Sequence, residues 1–68
     1  MSVYKVIEVI GTSTQSWEDA AASAVAKARE SLRELRVAEV TEQDLDISDD
    51  GGLTYRTRLS LSFKYEDG

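Results

Sequence analysis

The sequence predicts an α+β domain of order β-α-β-β, in which one helix packs on a three-stranded antiparallel sheet. Three observations predict it. The apolar spacing is strand-like in the opening residues and changes to a helical period near Ser16. Asp49-Asp50-Gly51-Gly52 marks a tight turn between the last two strands. From Leu53 onward the chain alternates without a break, Leu53, Tyr55, Thr57, Leu59, Leu61, Phe63 and Tyr65 on one face and Thr54, Arg56, Arg58, Ser60, Ser62 and Lys64 on the other.

The first strand, residues 3–10, is dense in β-branched and aromatic types, and both of its faces are partly apolar. Val3, Ile7 and Val9 point one way, Tyr4, Val6 and Ile10 the other, and Gly11 is expected to end it. The helix is predicted from Ser16. Trp17, Ala20, Ala21, Ala24, Ala28, Leu32 and Leu35 recur at three or four residues and form one stripe, whose alanines allow close approach to the sheet. Ser16 and Asp19 have the spacing of a capping box, with Ser13 as the alternative cap. Glu18 and Asp19 at the start and Arg29, Arg33 and Arg36 at the end suit the helix dipole.

Residues 37–47 read as a second, more acidic strand, and Leu53–Tyr65 as a third of about 13 residues, longer than the usual five or six. Strands two and three form a hairpin, and the first strand is expected beside the third. One helix cannot cover both faces of such a sheet. The other face, and the second apolar face of strand one, must meet another chain or water.

Composition leads to the same need. A chain of 68 residues forms one small domain, whose core is marginal alone. With no cysteine or histidine, disulfides and a zinc site of the usual kind are excluded. Oligomerisation is the leading remedy, and a hard cation bound by carboxylates a lesser one. The net charge of −5 argues against nucleic-acid and anionic-membrane partners. No run of residues is long and apolar enough to span a bilayer and no signal peptide is evident, so a cytoplasmic location is expected. The missing His and Cys remove the commonest general base and thiol nucleophile, and no convergent acid–base pair is visible, so no enzymatic activity is expected.

VYKVIEVIGTS at the start, EDAAASAVAKARESL in the helix, AEV after it and TYRTRLSLSF near the end together resemble the dodecins over nearly the whole chain. The resemblance implies a hollow homododecameric shell with helices outside and sheets lining the interior. In flavin-binding dodecins a tryptophan after the helix stacks on the flavin and a glutamine in the last strand bonds its polar edge; those positions match Val37 and Arg56. Valine has no π-face and arginine is donor-only, so binding of FMN or riboflavin in that mode is not expected. SVYKVIEVIGTSTQSW and RVAEVTEQD are more similar to a calcium-binding, non-flavin subgroup of the family.

The candidate ligand pocket is therefore Val37 and Arg56, joined by Arg36 if it lines a subunit junction, where two arginines would suit phosphates or carboxylates. The candidate metal ligands are Glu8, Glu42 and Asp44, gathered from several copies by symmetry. Asp44 to Tyr55 is not an EF-hand loop, because the glycine position falls on Asp49 and the bidentate glutamate position on Tyr55. Asp49 and Asp50 read as a solvated turn. Glu8, among apolar neighbours, is expected to pair with Arg56 or Arg58, and Trp17 to act as a packing anchor. The first reading is non-catalytic storage or sequestration by a calcium-associated shell. A flavin-storing dodecin with an altered pocket and a purely structural oligomer are the alternatives.

Overall fold

The computed structural model describes residues 1–67. Strand β1 (Ser2–Ser13), helix α1 (Trp17–Ala28), strand β2 (Leu35–Ile47) and strand β3 (Leu53–Asp67) follow in that order. The sheet order is β1-β3-β2 and both pairings are antiparallel, so the long last strand lies in the centre, between its hairpin partner and the first strand as expected. The helix lies over β1 and β3 and touches β2 least.

The core is thin. Leu59 and Leu61 of β3 and Ala20 of α1 are the buried apolar side chains among the described residues, and Thr57 is buried beside them. The Thr57 hydroxyl donates to the Trp17 carbonyl at 3.0 Å, which satisfies a polar group that would otherwise be costly there. Val6, Ile10, Val37, Val40, Leu45 and Ile47 remain exposed. A single chain thus leaves apolar surface on both edge strands.

Gly11 does not end the first strand. β1 runs on to Ser13, and Gly11 is buried under the helix. A Cβ there would stand 2.0 Å from the Ala20 carbonyl oxygen and 2.9 Å from Ala24 Cβ. The glycine serves helix–sheet approach, one of the two meanings a strand glycine has.

The helix is shorter than its apolar stripe. After Ala28 the chain makes turns, with Arg29 N–H donating to the Val25 carbonyl at 2.9 Å, Glu30 N–H to Lys27 at 3.2 Å and Leu32 N–H to Ala28 at 2.9 Å. Leu32 falls in this exit and Leu35 opens β2, because spacing alone cannot tell a last helical turn from a strand that begins on the same face. Glu34 takes a left-handed conformation, φ 60°, and turns the chain into β2, where its carbonyl accepts Lys64 N–H at 3.1 Å. Arg36 is consequently a strand residue and not a helix-end cation.

At the other end Ser16 is the cap, its hydroxyl accepting Asp19 N–H at 3.0 Å. The reciprocal half of a capping box is absent. Asp19 Oδ2 instead accepts the Ser13 hydroxyl at 2.7 Å, and Ser13 Oγ accepts Gln15 N–H at 2.9 Å and Ser16 N–H at 3.4 Å. Both predicted caps are used, one stacked on the other.

Between β2 and β3 the hairpin closes with Gly51 N–H on the Ser48 carbonyl at 2.9 Å, and Gly51 supplies the positive φ of 88°. Asp50 accepts the Ser48 hydroxyl and Gly52 N–H, which lower its carboxyl below the usual range, the hydroxyl contributing most.

Candidate functional site

Two irregularities in β2 decide which side chains reach the open face of the sheet. Val40 pairs with Leu59, on the helix side, but Glu42 pairs with Arg58 because the register shifts between them. A bulge inserts one residue and so reverses the facing of everything after it. Glu42, Asp44 and Asp46 are thereby turned to the face of Arg58, Arg56 and Thr54, their partners across the strand pair. On the other side β1 brings Glu8, Ile10 and Thr12 opposite Ser60, Arg58 and Arg56.

The result is a ladder of acids flanking a central pair of arginines. Arg56 binds Asp44 through both prongs of its guanidinium, Nε to Oδ1 at 2.6 Å and Nη2 to Oδ2 at 2.8 Å. This fork-to-fork geometry is the stronger kind of ion pair. The hydrogen-bonded Arg56 holds the Asp44 carboxyl below the usual carboxylate range against the opposing effect of burial, and Asp44 in turn raises Arg56. Arg58 donates from Nε to Glu42 Oε1 at 3.1 Å, and its Nη1 lies 3.6 Å from Glu8 Oε1. Glu8 therefore sits beside Arg58, as expected from strand pairing, but Arg58 bonds Glu42 more closely. Five acids (Glu8, Glu39, Glu42, Asp44, Asp46) against Arg56, Arg58 and Lys64 leave this face net negative.

Trp17 fixes the ladder from behind. Its indole N–H donates to the Asp44 carbonyl at 3.1 Å, and its ring meets Tyr55 edge-on, 5.1 Å between centroids at 85°. Asp44 is thus held by backbone from the helix side and by side chain from the open side. Sequence spacing gave Trp17 its role as a packing anchor and carried no signal for this hydrogen bond, which depends on the β2 register.

The candidate metal ligands Glu8, Glu42 and Asp44 all lie on the open face. Carboxylate oxygens are the donors a hard cation takes. Within one chain, however, each faces an arginine, and no three acids converge closely enough to hold an ion among the described residues.

The candidate ligand pocket is divided within one chain. Val37 pairs with Ser62 and is 60% exposed, whereas Arg56 lies six residues away along β3, roughly 20 Å at strand rise. Arg36 bonds Glu34, Nη2 to Oε2 at 2.7 Å, and lines a cleft with Val37 at the helix exit. The cavity that contains Arg56, shared with Ile10, Glu42, Asp44 and Arg58, measures about 10 Å³. That is room for about one water molecule, far from the several hundred Å³ of a pocket for a ring system. No helix among the described residues is long and apolar enough to cross a membrane.

A family model described as Dodecin matches residues 3–66. A Mycobacterium tuberculosis protein named calcium dodecin is 58% identical over 64 residues, covering 94% of this chain and 90% of that one. A Thermus thermophilus protein named dodecin is 38% identical over 65 residues, covering 96% and 94%. Among solved structures, the M. tuberculosis calcium dodecin, described as calcium chelating with a novel calcium-binding site, superposes with a TM-score of 0.90 at 54% identity, covering 98% of this chain and 96% of that one. Dodecin from Streptomyces coelicolor superposes with a TM-score of 0.89 at 35% identity, covering 98% and 96%.

Proposed function

The chain belongs to the dodecin family, and from that premise we propose that it forms a hollow homododecamer that binds and sequesters calcium without catalysing a reaction. The observation that carries this reading is the open face of the sheet. It presents exposed Val6 and Ile10 beside Glu8, Glu42, Asp44 and Asp46, a surface that is both apolar enough to associate and acidic enough to attract a cation. The likeness to a protein named calcium dodecin supports the choice of ion. The absence of cysteine supports work in the cytoplasm, and the acidic face argues against nucleic acid or an anionic membrane as partner.

Glu8, Glu42 and Asp44 are the proposed ligands, with the coordination sphere completed by acids of neighbouring copies. Calcium takes six to eight oxygens, and one chain supplies too few of them free of arginine. A symmetry axis repeats each carboxylate without lengthening the chain. Calcium shared between copies would then stabilise fold and assembly together.

Flavin is disfavoured at the position where other dodecins hold it. Val37 offers no aromatic face, and Arg56 has both prongs on Asp44.

Melting the assembled protein in EDTA, in millimolar magnesium and in millimolar calcium tests the reading, with native mass spectrometry reporting the copy number. Saturation at about 100 times the dissociation constant should add about 2.7 kcal/mol per site, seen as a calcium-specific rise in melting temperature. Glu42→Gln should reduce that rise. Identical melting in all three conditions would refute calcium binding. A monomer or dimer at micromolar concentration would refute the shell, and tight quenching of added FMN fluorescence would return the pocket to flavin.

A further inference from the structure

The two ends of the chain's charge distribution do not match. The sequence contains five arginines. Arg56 and Arg58 are bound to the acid ladder, while Arg29, Arg33 and Arg36 gather at the helix exit around a cleft of about 770 Å³. Of these, Arg36 bonds Glu34, and no hydrogen bond or ion pair of the Arg29 or Arg33 side chain occurs among the described residues. Guanidinium groups left without acids are notable in a chain of 13 acids and net charge −5.

The ordinary partner for cations in this position is the end of a helix, whose last carbonyls are partly negative. Here the Val25, Lys27 and Ala28 carbonyls already accept the N–H groups of residues 29–32. The demand that Arg29 and Arg33 would meet is thus largely satisfied by backbone. The left-handed Glu34 then turns the chain back so that Arg33 and Arg36, on either side of the turn, line the same cleft as Arg29.

The remainder of the lining is Glu34, whose carboxylate is bonded to Arg36, and an apolar wall of Val25, Leu32, Leu35, Val37, Ala38 and Leu61, so that two of the three guanidinium groups face the cleft without an acid. A bare anion would use only the guanidinium rim, and a neutral hydrophobe only the wall. A molecule with a phosphate at one end and a ring or alkyl group at the other would use both, since guanidinium forks match phosphate oxygens and the wall removes the apolar part from water.

We propose that the cleft between the end of α1 and the start of β2 is an anion site, distinct from the acid ladder, that takes a phosphate monoester bearing an apolar group through Arg29, Arg33 and Arg36. The site is independent of calcium binding, because it shares no residue with the ladder.

Isothermal titration of the assembled protein with phenyl phosphate and with inorganic phosphate, at low ionic strength and without divalent cations, tests it. Saturable binding of phenyl phosphate is expected, at least tenfold tighter than inorganic phosphate, weakening as salt is raised. The double variant R29Q/R33Q should weaken it at least tenfold with the oligomeric state unchanged. Arg33→Lys, which keeps the charge but loses the fork, should weaken it by a smaller factor. No saturable binding by the wild type overturns the site, as does equal affinity for the two phosphates or an unchanged affinity in the double variant. A double variant that dissociates would show the arginines bound to acids of a neighbouring copy, and that too overturns it.

Discussion

The two faces of β3 differ in what completes them. On the helix side Thr57, Leu59 and Leu61 are 0–1% exposed, sealed by residues of the same chain. On the other side Arg56 and Arg58, one residue away in each case, keep 44% and 42% exposure and are matched only by acids at the neighbouring strands. Under the helix these residues are fixed by packing, although Val40, Leu45, Ile47 and Leu53, farther out on the same face, stay exposed. The open face is satisfied electrostatically but not covered. Strand periodicity separates these two tasks residue by residue, so one strand holds a core and presents a charged surface at once.

The largest expected effect lies in the core. Leu61→Ala removes a fully buried side chain from a core with few others, and should cost about 2–5 kcal/mol. Urea unfolding at a fixed protein concentration measures it. A loss below about 1 kcal/mol would mean that the helix face relies on neighbouring copies as much as the open face does.

Next is the contact that sets the height of the helix over the sheet. Gly11→Ala places a methyl 2.0 Å from a backbone oxygen of α1, and backbone cannot rotate away as a side chain does. Overpacking of this kind typically costs about 1–3 kcal/mol. Gly52→Ala makes the fair comparison, because its added methyl meets only the side-chain oxygens of Ser48 and Asp50, at 3.0 and 3.2 Å. Thermal melting should place Gly11→Ala well below Gly52→Ala. If the two variants melt together, the helix shifts freely and the helix face is less rigid than its burial suggests.

The same division separates what the sequence disclosed from what it did not. The order of elements, the central place of β3, the hairpin and the cap at Ser16 follow from local chemistry, which acts over a few residues and leaves its mark in spacing. The uncovered sheet face also follows, from one helix set against a strand apolar on both sides. Gly11 reads as a strand end in the sequence because glycine both stops strands and admits close approach, and only the helix position decides between them. Leu35 and Arg36 fit a helical stripe until the left-handed Glu34 intervenes, and nothing in a glutamate predicts that conformation. The side-chain partners were the least legible. Glu8 was correctly placed beside the arginines, but the stronger pairs, Asp44 with Arg56 and Glu42 with Arg58, depend on the bulge after Val40, and one inserted residue there changes which acids share a face with which bases. Arg36 and Arg56 lie toward opposite ends of the sheet, so a meeting between them takes two chains, where a single sequence has no periodicity to read.

The smallest expected effect concerns the charge of the open face alone. Arg56 holds the Asp44 carboxyl below its ordinary value, so the folded state binds that proton more weakly than the unfolded chain does. A carboxyl depressed in this way contributes stability that is fully present above the unfolded value of about 3.9, and loses it as pH falls through the lower folded value. Asp44→Asn has no such proton to take up. Its melting temperature should lie slightly below the wild type between pH 5 and 7, and the gap should close as the solution is acidified below about pH 4. The gap should be modest, since both partners are nearly half exposed and water screens the pair. Arg56→Gln should lower the wild-type curve in the same pH range and leave little further loss when combined with Asp44→Asn, because either change removes the same pairing. Asp50, depressed by the Ser48 hydroxyl and Gly52 N–H, shares the acid limb in all these proteins and cancels from the differences. A gap that persists unchanged to pH 2 would mean that Asp44 matters on this face for its shape, or for the indole held by its carbonyl, and not for its charge.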